Sequence, residues 1–302
     1  MDKKTFWEKF DEQKVSYLFI ALPFTLFFVF QLAPVFISFL LSFTRYNVIS
    51  APTFVGLANY KNILLNDPLF WKAIRNTVTY VIGVVPIGVC LSLLLAVAID
   101  QKIKFKNFFK SIFFLPTVTA IVAVSVIWKW LYAGEKYGLI NFFIMKLGFQ
   151  PVDWLASPAW TLPSIMIMSI WAGVGYNMIL FLAGLQTIPQ AMYEAAEIDG
   201  AGFWKQFSYI TLPLLKPTIV FVTMMSFIFS FQVFEQVYIM TSGQGGIGGV
   251  LNSALTIVAY LYDKGFTKFR MGYASALAYI IFLLIFMLTM INKRLMKNNV
   301  EY

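Results

Sequence analysis

Long apolar stretches alternate with short charged ones along the chain. Residues 15–44, 76–99, 111–128, 154–193, 217–234 and 271–292 contain no Asp, Glu, Lys or Arg. A helix needs about 20 apolar residues to cross a bilayer. The fourth interval is mainly apolar only over 160–185, so each interval supplies one span. The pattern predicts six transmembrane helices in an all-α integral membrane protein. Pro23 and Pro34 are expected to bend the first span, because a residue without an amide proton interrupts the helical ladder. That run is too long for a signal-peptide core and no small-residue cleavage site follows it, so it is expected to be retained. Two shorter pieces fall below spanning length. Residues 139–147 read as a short amphipathic helix in the interface, and residues 250–262 as a re-entrant or interfacial segment.

Between the fourth and fifth spans lies a polar island, residues 187–217. Pro189 stands where a helix would begin, and Ala191, Ala195 and Ala196 are strong helix formers. Gly200 is placed to end that helix, since glycine takes the left-handed conformation without steric cost. A second helix is predicted over 203–210, with Pro213 barring its continuation. The plainest reading is a helix-turn-helix connector whose charges are solvated.

A more specific reading rests on spacing. Glu194-Ala195-Ala196, Gly200, Ile210 and Leu212-Pro213 resemble the EAA loop of the membrane subunits of binding-protein-dependent ABC importers, and every fixed position of that motif is matched. In that family the loop lies on the cytoplasmic side and inserts into a cleft on an ATPase subunit. The resemblance therefore assigns ATPase coupling to Glu194, Ala195, Ala196, Asp199, Gly200, Ile210, Leu212 and Pro213. Small alanines permit close approach to a partner surface, and Glu194 and Glu197 can pair with basic groups on it. Similarity to the maltose-type carbohydrate permeases runs over 15–297. It includes Phe54-Val55-Gly56-Leu57, Asn59-Tyr60 and Asp67-Pro68-Leu69-Phe70-Trp71 in the first loop, and 183–186 and 230–238 flanking the hairpin. Two departures stand out. Glu235 occupies a position where many relatives have Asp, and 243–246 replaces a common Gly-Gly-Pro. The implied fold is that of a type I ABC importer permease.

Composition agrees with the pattern: 60% of the 302 residues are hydrophobic and 12% charged, against about 25% charged in soluble domains. The formal charge of +9 sits at segment ends and marks no nucleic-acid partner. There is no histidine, which excludes histidine bases and histidine metal sites. The single cysteine, Cys90, is expected to be a small core residue. No Gly-Lys dipeptide occurs, so no P-loop is present. No catalytic group, metal or cofactor is expected, and any ATP hydrolysis belongs to partner chains. With the amino terminus inside, thirteen of the 23 Lys and Arg fall on the cytoplasmic side, including Lys102, Lys104, Lys106 and Lys110. The excess is in the direction that basic residues favour. Trp71 is expected at a membrane interface, and Lys129 is expected to snorkel to the surface between tryptophans.

A solute path is expected along the third to fifth spans. Ser226, Ser230 and Val233 share one helical face by their spacing. The resemblance places that face, with Thr117, Ala172 and Gly173, beside the solute cavity. Asn177, Gln232 and Glu235 complete the candidate set. Glu235 could accept sugar hydroxyls or serve a subunit-interface hydrogen bond. Gly173 and Gly175 allow either close helix packing or room for solute. No basic residue lies well inside a span, which favours neutral sugars.

The expected organisation is a cytoplasmic tail at 1–14, the first transmembrane helix and outer loop at 15–70, the importer transmembrane domain at 71–297 with its coupling loop at 187–213, and a cytoplasmic tail at 298–302. Both termini are expected in the cytoplasm of a cell whose inner membrane the chain crosses. The resemblance implies a second homologous permease subunit, two ATPase subunits, an extracellular or periplasmic sugar-binding protein and the lipid bilayer as partners. The function implied is a permease subunit forming half the pore of an ATP-driven oligosaccharide or polyol importer. A self-contained secondary transporter or channel is the alternative, and would be expected to show internal repeats and a coupling carboxylate. A membrane enzyme would need a nucleophile-base pair or metal cluster.

Overall fold

The computed structural model describes residues 6–101, 104–134 and 137–297. Lys3, Lys4, Lys102, Lys136 and the 298–302 tail lie outside them. In chain order the helices are α1 (Phe6–Phe27), α2 (Ala33–Ser42), α3 (Ala58–Asn66), α4 (Pro68–Asp100), α5 (Lys106–Val118), α6 (Ile121–Leu131) and α7 (Leu139–Lys146). They continue with α8 (Thr161–Leu185), α9 (Gln190–Ile198), α10 (Phe203–Gln206), α11 (Leu212–Phe231), α12 (Glu235–Thr241), α13 (Ile257–Tyr262) and α14 (Met271–Lys297). Two short strands, β1 (Thr44–Arg45) and β2 (Thr53–Phe54), pair antiparallel with Thr44 opposite Phe54.

Five helical stretches are long and apolar enough to cross a membrane: Lys14–Ser42, Pro68–Asp100, Thr161–Leu185, Phe203–Phe231 and Met271–Ile291. The third interval of the pattern, 111–128, is not one straight helix. It is α5 followed by α6, bent by 97°. If that pair counts as one broken span, six crossings result.

The chain forms two units. The first comprises Met1–Asn66 and Lys264–Ile280. Its first span runs through Pro23, and the interruption falls instead at a π turn, Phe28–Leu32, just before Pro34. None of the apolar core of that span is buried within the chain. A helix that is apolar all round and covers nothing of its own chain faces lipid or another subunit. The end of α2 is capped from a distance. The Asn59 side-chain amide donates to the Ser42 and Thr44 carbonyls at 2.9 Å each, and the Tyr60 hydroxyl donates to Ser42 Oγ at 2.7 Å. These bonds satisfy carbonyls that a helix end leaves orphaned. The Asn59-Tyr60 pair noted in the sequence thus holds the loop to the span. The Gly272 N–H donates to the Tyr46 carbonyl at 3.2 Å, and a Cβ on Gly272 would stand 2.0 Å from the Thr44 oxygen.

The second unit is Asp67–Asp263 with Ile281–Tyr302. Its core is α4 against α8, filled by Tyr80, Val81, Val85, Ile165, Met168 and Phe181. Ser92 Oγ on α4 donates to the Val174 carbonyl at 3.1 Å. The start of α4 lies well before the apolar run, because Asp67 caps it, accepting from the Leu69 and Phe70 amides. Trp71 is therefore helical and half exposed. Cys90 is exposed, which corrects its reading as a core residue.

The segment 250–262 is not a free interfacial piece. The Asn76 amide donates to the Asn252 and Leu255 carbonyls, the Thr77 hydroxyl accepts from the Ile257 amide, and Tyr260 donates to Asp67. The result is α13 buried against α4. Residues 139–146 do form a short helix with exposed Phe142 and Phe143.

Lys129 does not simply reach for solvent. Its ammonium donates to the Ser242 carbonyl at 2.6 Å, Ser242 Oγ at 2.8 Å and the Ile239 carbonyl at 3.3 Å. It caps the carboxyl end of α12, where a cation is favoured. The glycine-rich turn after it is pinned as well, since Thr241 Oγ1 accepts from the Gly248 amide at 3.1 Å. Lys129→Met is expected to raise amide hydrogen exchange over 239–249 by roughly tenfold, with protection of α4 and α8 unchanged. Unaltered exchange in that turn would contradict the capping role.

Candidate functional site

The polar hairpin takes its shape from a helix stop of defined geometry. Pro189 is extended and precedes α9, which supplies the first turn. Gly200 has φ +72°. The Gly200 amide donates to the Glu197 carbonyl at 3.0 Å and the Ala201 amide to the Ala196 carbonyl at 2.8 Å. This pair of bonds around a left-handed residue is the Schellman arrangement. Beyond it, the Gln206 side-chain Nε2 donates to the Ala201 carbonyl at 2.9 Å, and the Tyr193 and Thr211 hydroxyls share a hydrogen bond at 2.9 Å. The two arms are thereby fixed to each other. Tyr193, Gln206 and Thr211 carried no signal in the sequence, because only the folded hairpin brings them together.

The second arm does not stop before Pro213. Helix α10 passes through a π turn, Phe207–Thr211, into α11, and Phe203–Phe231 is one span. Pro213 stands in the first turn of α11. A π turn shifts the hydrogen-bond register, and this one falls where the proline amide would otherwise be missed.

Glu194, Ala195, Glu197 and Asp199 are exposed, as is Pro213; Ala196, Ile210 and Leu212 are half-buried. Large apolar groups stand exposed among the acids: Ile198 at 88%, Trp204 at 73% and Tyr209 at 80%. A surface that mixes exposed aromatics with charge marks a contact site for another protein. A cavity of about 400 Å³ lies behind the hairpin, lined by Asp100, Gln190, Tyr193, Glu197, Gln206 and Thr211 among others. Asp100 is ion-paired with Lys106 at 3.2 Å.

Within the helices, a second cavity of about 180 Å³ gathers five of the candidate path residues: Gly173, Asn177, Ser226, Ser230 and Val233. The Asn177 amide donates to Ser226 Oγ at 3.2 Å. Tyr80, Ser169, Tyr176 and Gln236 also line it and were missed in the sequence. Tyr80 and Gln236 lie on α4 and α12 and gave no sign of a shared wall, whereas Ser169 and Tyr176 share the Gly173 face of α8 by spacing. Every polar lining group is uncharged. The two glycines left open by the sequence now separate. A Cβ at Gly173 would meet nothing within 4 Å, whereas one at Gly175 would stand 2.0 Å from the Phe113 carbonyl oxygen. Gly173 leaves space, and Gly175 lets α5 approach α8. Thr117 and Ala172 serve that same contact, with Thr117 Oγ1 donating to the Ala172 carbonyl at 3.1 Å. Gln232 and Glu235 do not line this cavity. Both are exposed around the break between α11 and α12, with Glu235 in the first turn of α12, where a carboxylate suits the helix dipole.

Residues 88–298 match the family model described as "Binding-protein-dependent transport system inner membrane component". The chain belongs to this family. The permease is 36% identical over 290 residues to the arabinooligosaccharides transport system permease protein AraP of Bacillus subtilis, covering 95% of this chain and 90% of the relative. It is 37% identical over 279 residues to the lactose transport system permease protein LacF of Rhizobium radiobacter, covering 91% of each. It is 33% identical over 284 residues to the trehalose/maltose transport system permease protein MalF of Thermococcus litoralis, covering 94% of each. The fold matches a crystal structure of a bacterial ABC transporter involved in alginate import, with a TM-score of 0.85 at 22% identity, over 98% of this chain and 99% of that one. A second matching structure, TM-score 0.82 at 23% identity over 98% of this chain and 100% of that one, holds an alginate transporter in complex with a pentasaccharide-bound periplasmic protein. The permease is thus a multi-pass membrane component of a transport system, with the fold of an ABC importer permease, and the self-contained transporter is set aside.

Proposed function

We propose that the permease forms half of the pore of an ATP-driven importer for a neutral oligosaccharide or polyol. The observation that carries the solute class is the cavity wall of Tyr80, Ser169, Tyr176, Asn177, Ser226 and Ser230, which offers hydroxyls, an amide and aromatic faces but no charge. Sugar hydroxyls need such partners, and a charged solute would need an opposing charge or a helix amino terminus. The named relatives carry sugar titles, which supports the class. A second homologous permease completes the pore, and an external sugar-binding protein delivers the solute. Two ATPase subunits hydrolyse ATP and grip the hairpin at Glu194, Ala195, Ala196, Asp199 and Gly200, while Ile210, Leu212 and Pro213 set its second arm. Residues 71–297 are the transporting domain, with 15–70 as the first span and its outer loop. If the bent α5–α6 pair counts as one crossing, the hairpin and both termini share the cytoplasmic side of the inner membrane.

The test is reconstitution in vesicles. The permease alone should carry no sugar uphill, and the assembly with its ATPases and binding protein should do so. Uncharged sugars should compete for uptake and uronate oligosaccharides should not. Glu194→Lys should reduce co-purifying ATPase on the order of tenfold, with membrane insertion intact. Concentrative uptake by the isolated chain would overturn the reading.

A further inference from the structure

The first unit contains a cavity that shares no lining residue with the two described above. It has a volume of about 420 Å³ and is lined by Arg45, Asn47, Asn59, Asn62, Arg270 and Tyr273, with smaller neighbours. Its walls are built rather than accidental. The Asn59 amide ties one wall to the end of α2. The other wall is fixed by the Gly272 amide donating to the Tyr46 carbonyl and the Arg270 amide donating to the Lys264 carbonyl at 2.8 Å. The Arg270 guanidinium lies over the Tyr273 ring at 4.7 Å, and Tyr273 is buried. Stacking of this kind fixes a guanidinium plane while leaving its N–H fork open.

The charge is one-sided. Residues 15–66 and 264–280 contain Arg45, Lys61, Lys264, Lys268 and Arg270 and no Asp or Glu at all. Among the described residues no carboxylate pairs with Arg45 or Arg270, and the Asn62 side chain makes no hydrogen bond. Two forks and an unengaged amide facing one cavity suit an anion with several oxygens.

Position chooses among anions. Arg45 comes just after Ser42, where the first span ends, and Arg270 just before Met271, where the last begins. The cavity therefore sits at the level of the lipid headgroups. Along α2, Phe36 and Leu40 stand exposed, while Phe39 packs edge-on against Tyr279. A ligand with a phosphate at the cavity and hydrocarbon along that helix satisfies both features. A soluble anion satisfies only the first. We propose that this cavity binds the phosphate of an anionic phospholipid headgroup, gripped by Arg45 and Arg270 and hydrogen-bonded by Asn62, with its acyl chains along α2.

The test is native mass spectrometry of the whole importer in detergent, with phosphatidylglycerol, phosphatidylcholine or glycerol 3-phosphate added. Wild type should keep a phosphatidylglycerol adduct that glycerol 3-phosphate does not displace. Affinity should fall about fivefold for each arginine removed, and roughly twenty-fivefold in Arg45→Gln/Arg270→Gln. Arg45→Lys/Arg270→Lys should retain part of it. If the glutamine pair fails to assemble, Asn62→Asp decides the matter: a carboxylate in the wall should expel the lipid, and a retained adduct overturns the proposal. The same adduct in the glutamine pair, or displacement by glycerol 3-phosphate, would also overturn it. So would weakened docking of the binding protein with lipid retention unchanged, which would assign the patch to a protein contact.

Discussion

Gly175→Ala should lower the thermal unfolding midpoint of the purified importer and cut sugar uptake by roughly tenfold or more, while Gly173→Ala leaves the midpoint nearly unchanged. The two positions lie two residues apart on α8 and differ in everything around them. A methyl at Gly175 would lie 2.0 Å from the Phe113 oxygen and 2.8 Å from its carbonyl carbon. Backbone cannot rotate aside as a side chain can, so α5 must move away from α8. That movement also strains the Thr117 bond to the Ala172 carbonyl. Overpacking of this kind costs about 1–3 kcal/mol. At Gly173 the added methyl meets open space in the cavity, so its effect should appear as altered apparent affinity for solute. Equal midpoints for the two variants would show that the α5–α8 contact is not as close as described.

Gly200→Val should leave the permease inserted and assembled but reduce ATP-coupled uptake by about tenfold. The left-handed conformation costs a residue with a Cβ roughly 1–2 kcal/mol, and a β-branched residue suffers most. With φ near +72° denied, the two bonds that end α9 are lost together, and the exposed acids swing out of register with the second arm. Gly200→Asn should recover much of the activity, because asparagine tolerates this conformation. Equal coupling in the valine and asparagine variants would separate the turn geometry from function. Binding-protein-stimulated ATPase activity, measured beside uptake, distinguishes a lost grip from a blocked pore.

The hairpin was legible because its signals are local: a helix-starting proline, alanines and a stop glycine act on their own neighbours. The charge-free intervals were legible for a similar reason, since lipid demands continuous apolarity whatever the tertiary fold. What the sequence hid depends on partners far along the chain. The break between α5 and α6 carries no glycine, and it is stabilised by α6 packing on α12 and by the Lys129 cap. Pro213 predicts a stop only if the hydrogen-bond register is regular, and the π turn before it removes that condition. Cys90 looked like core because its neighbours are apolar, yet on a membrane helix the outward face is as apolar as the inward one. Gly173 and Gly175 are indistinguishable by composition, and helix positions two residues apart point to nearly opposite faces. The cavity wall drew on α4 and α12 as well as on the expected helices, so Tyr80 and Gln236 could not be placed from spacing, whereas Ser169 and Tyr176 stand four before and three after Gly173 on α8 and were within reach of the spacing rule.

Because Phe203–Phe231 is one continuous helical span, the second arm of the hairpin and Ser226 and Ser230 of the cavity are parts of a single rod. At 1.5 Å per residue the distance from Trp204 to Ser226 is about 33 Å. Tilting such a rod by roughly ten degrees about its cavity end sweeps the hairpin end through about 6 Å. A small angular change at the cavity therefore corresponds to a long stroke at the hairpin, which is the lever that the proposed coupling requires. The π turn at Phe207–Thr211 and Pro217 interrupt the regular hydrogen-bond ladder of that rod, so the local rigidity of those two places sets how faithfully a tilt passes along it.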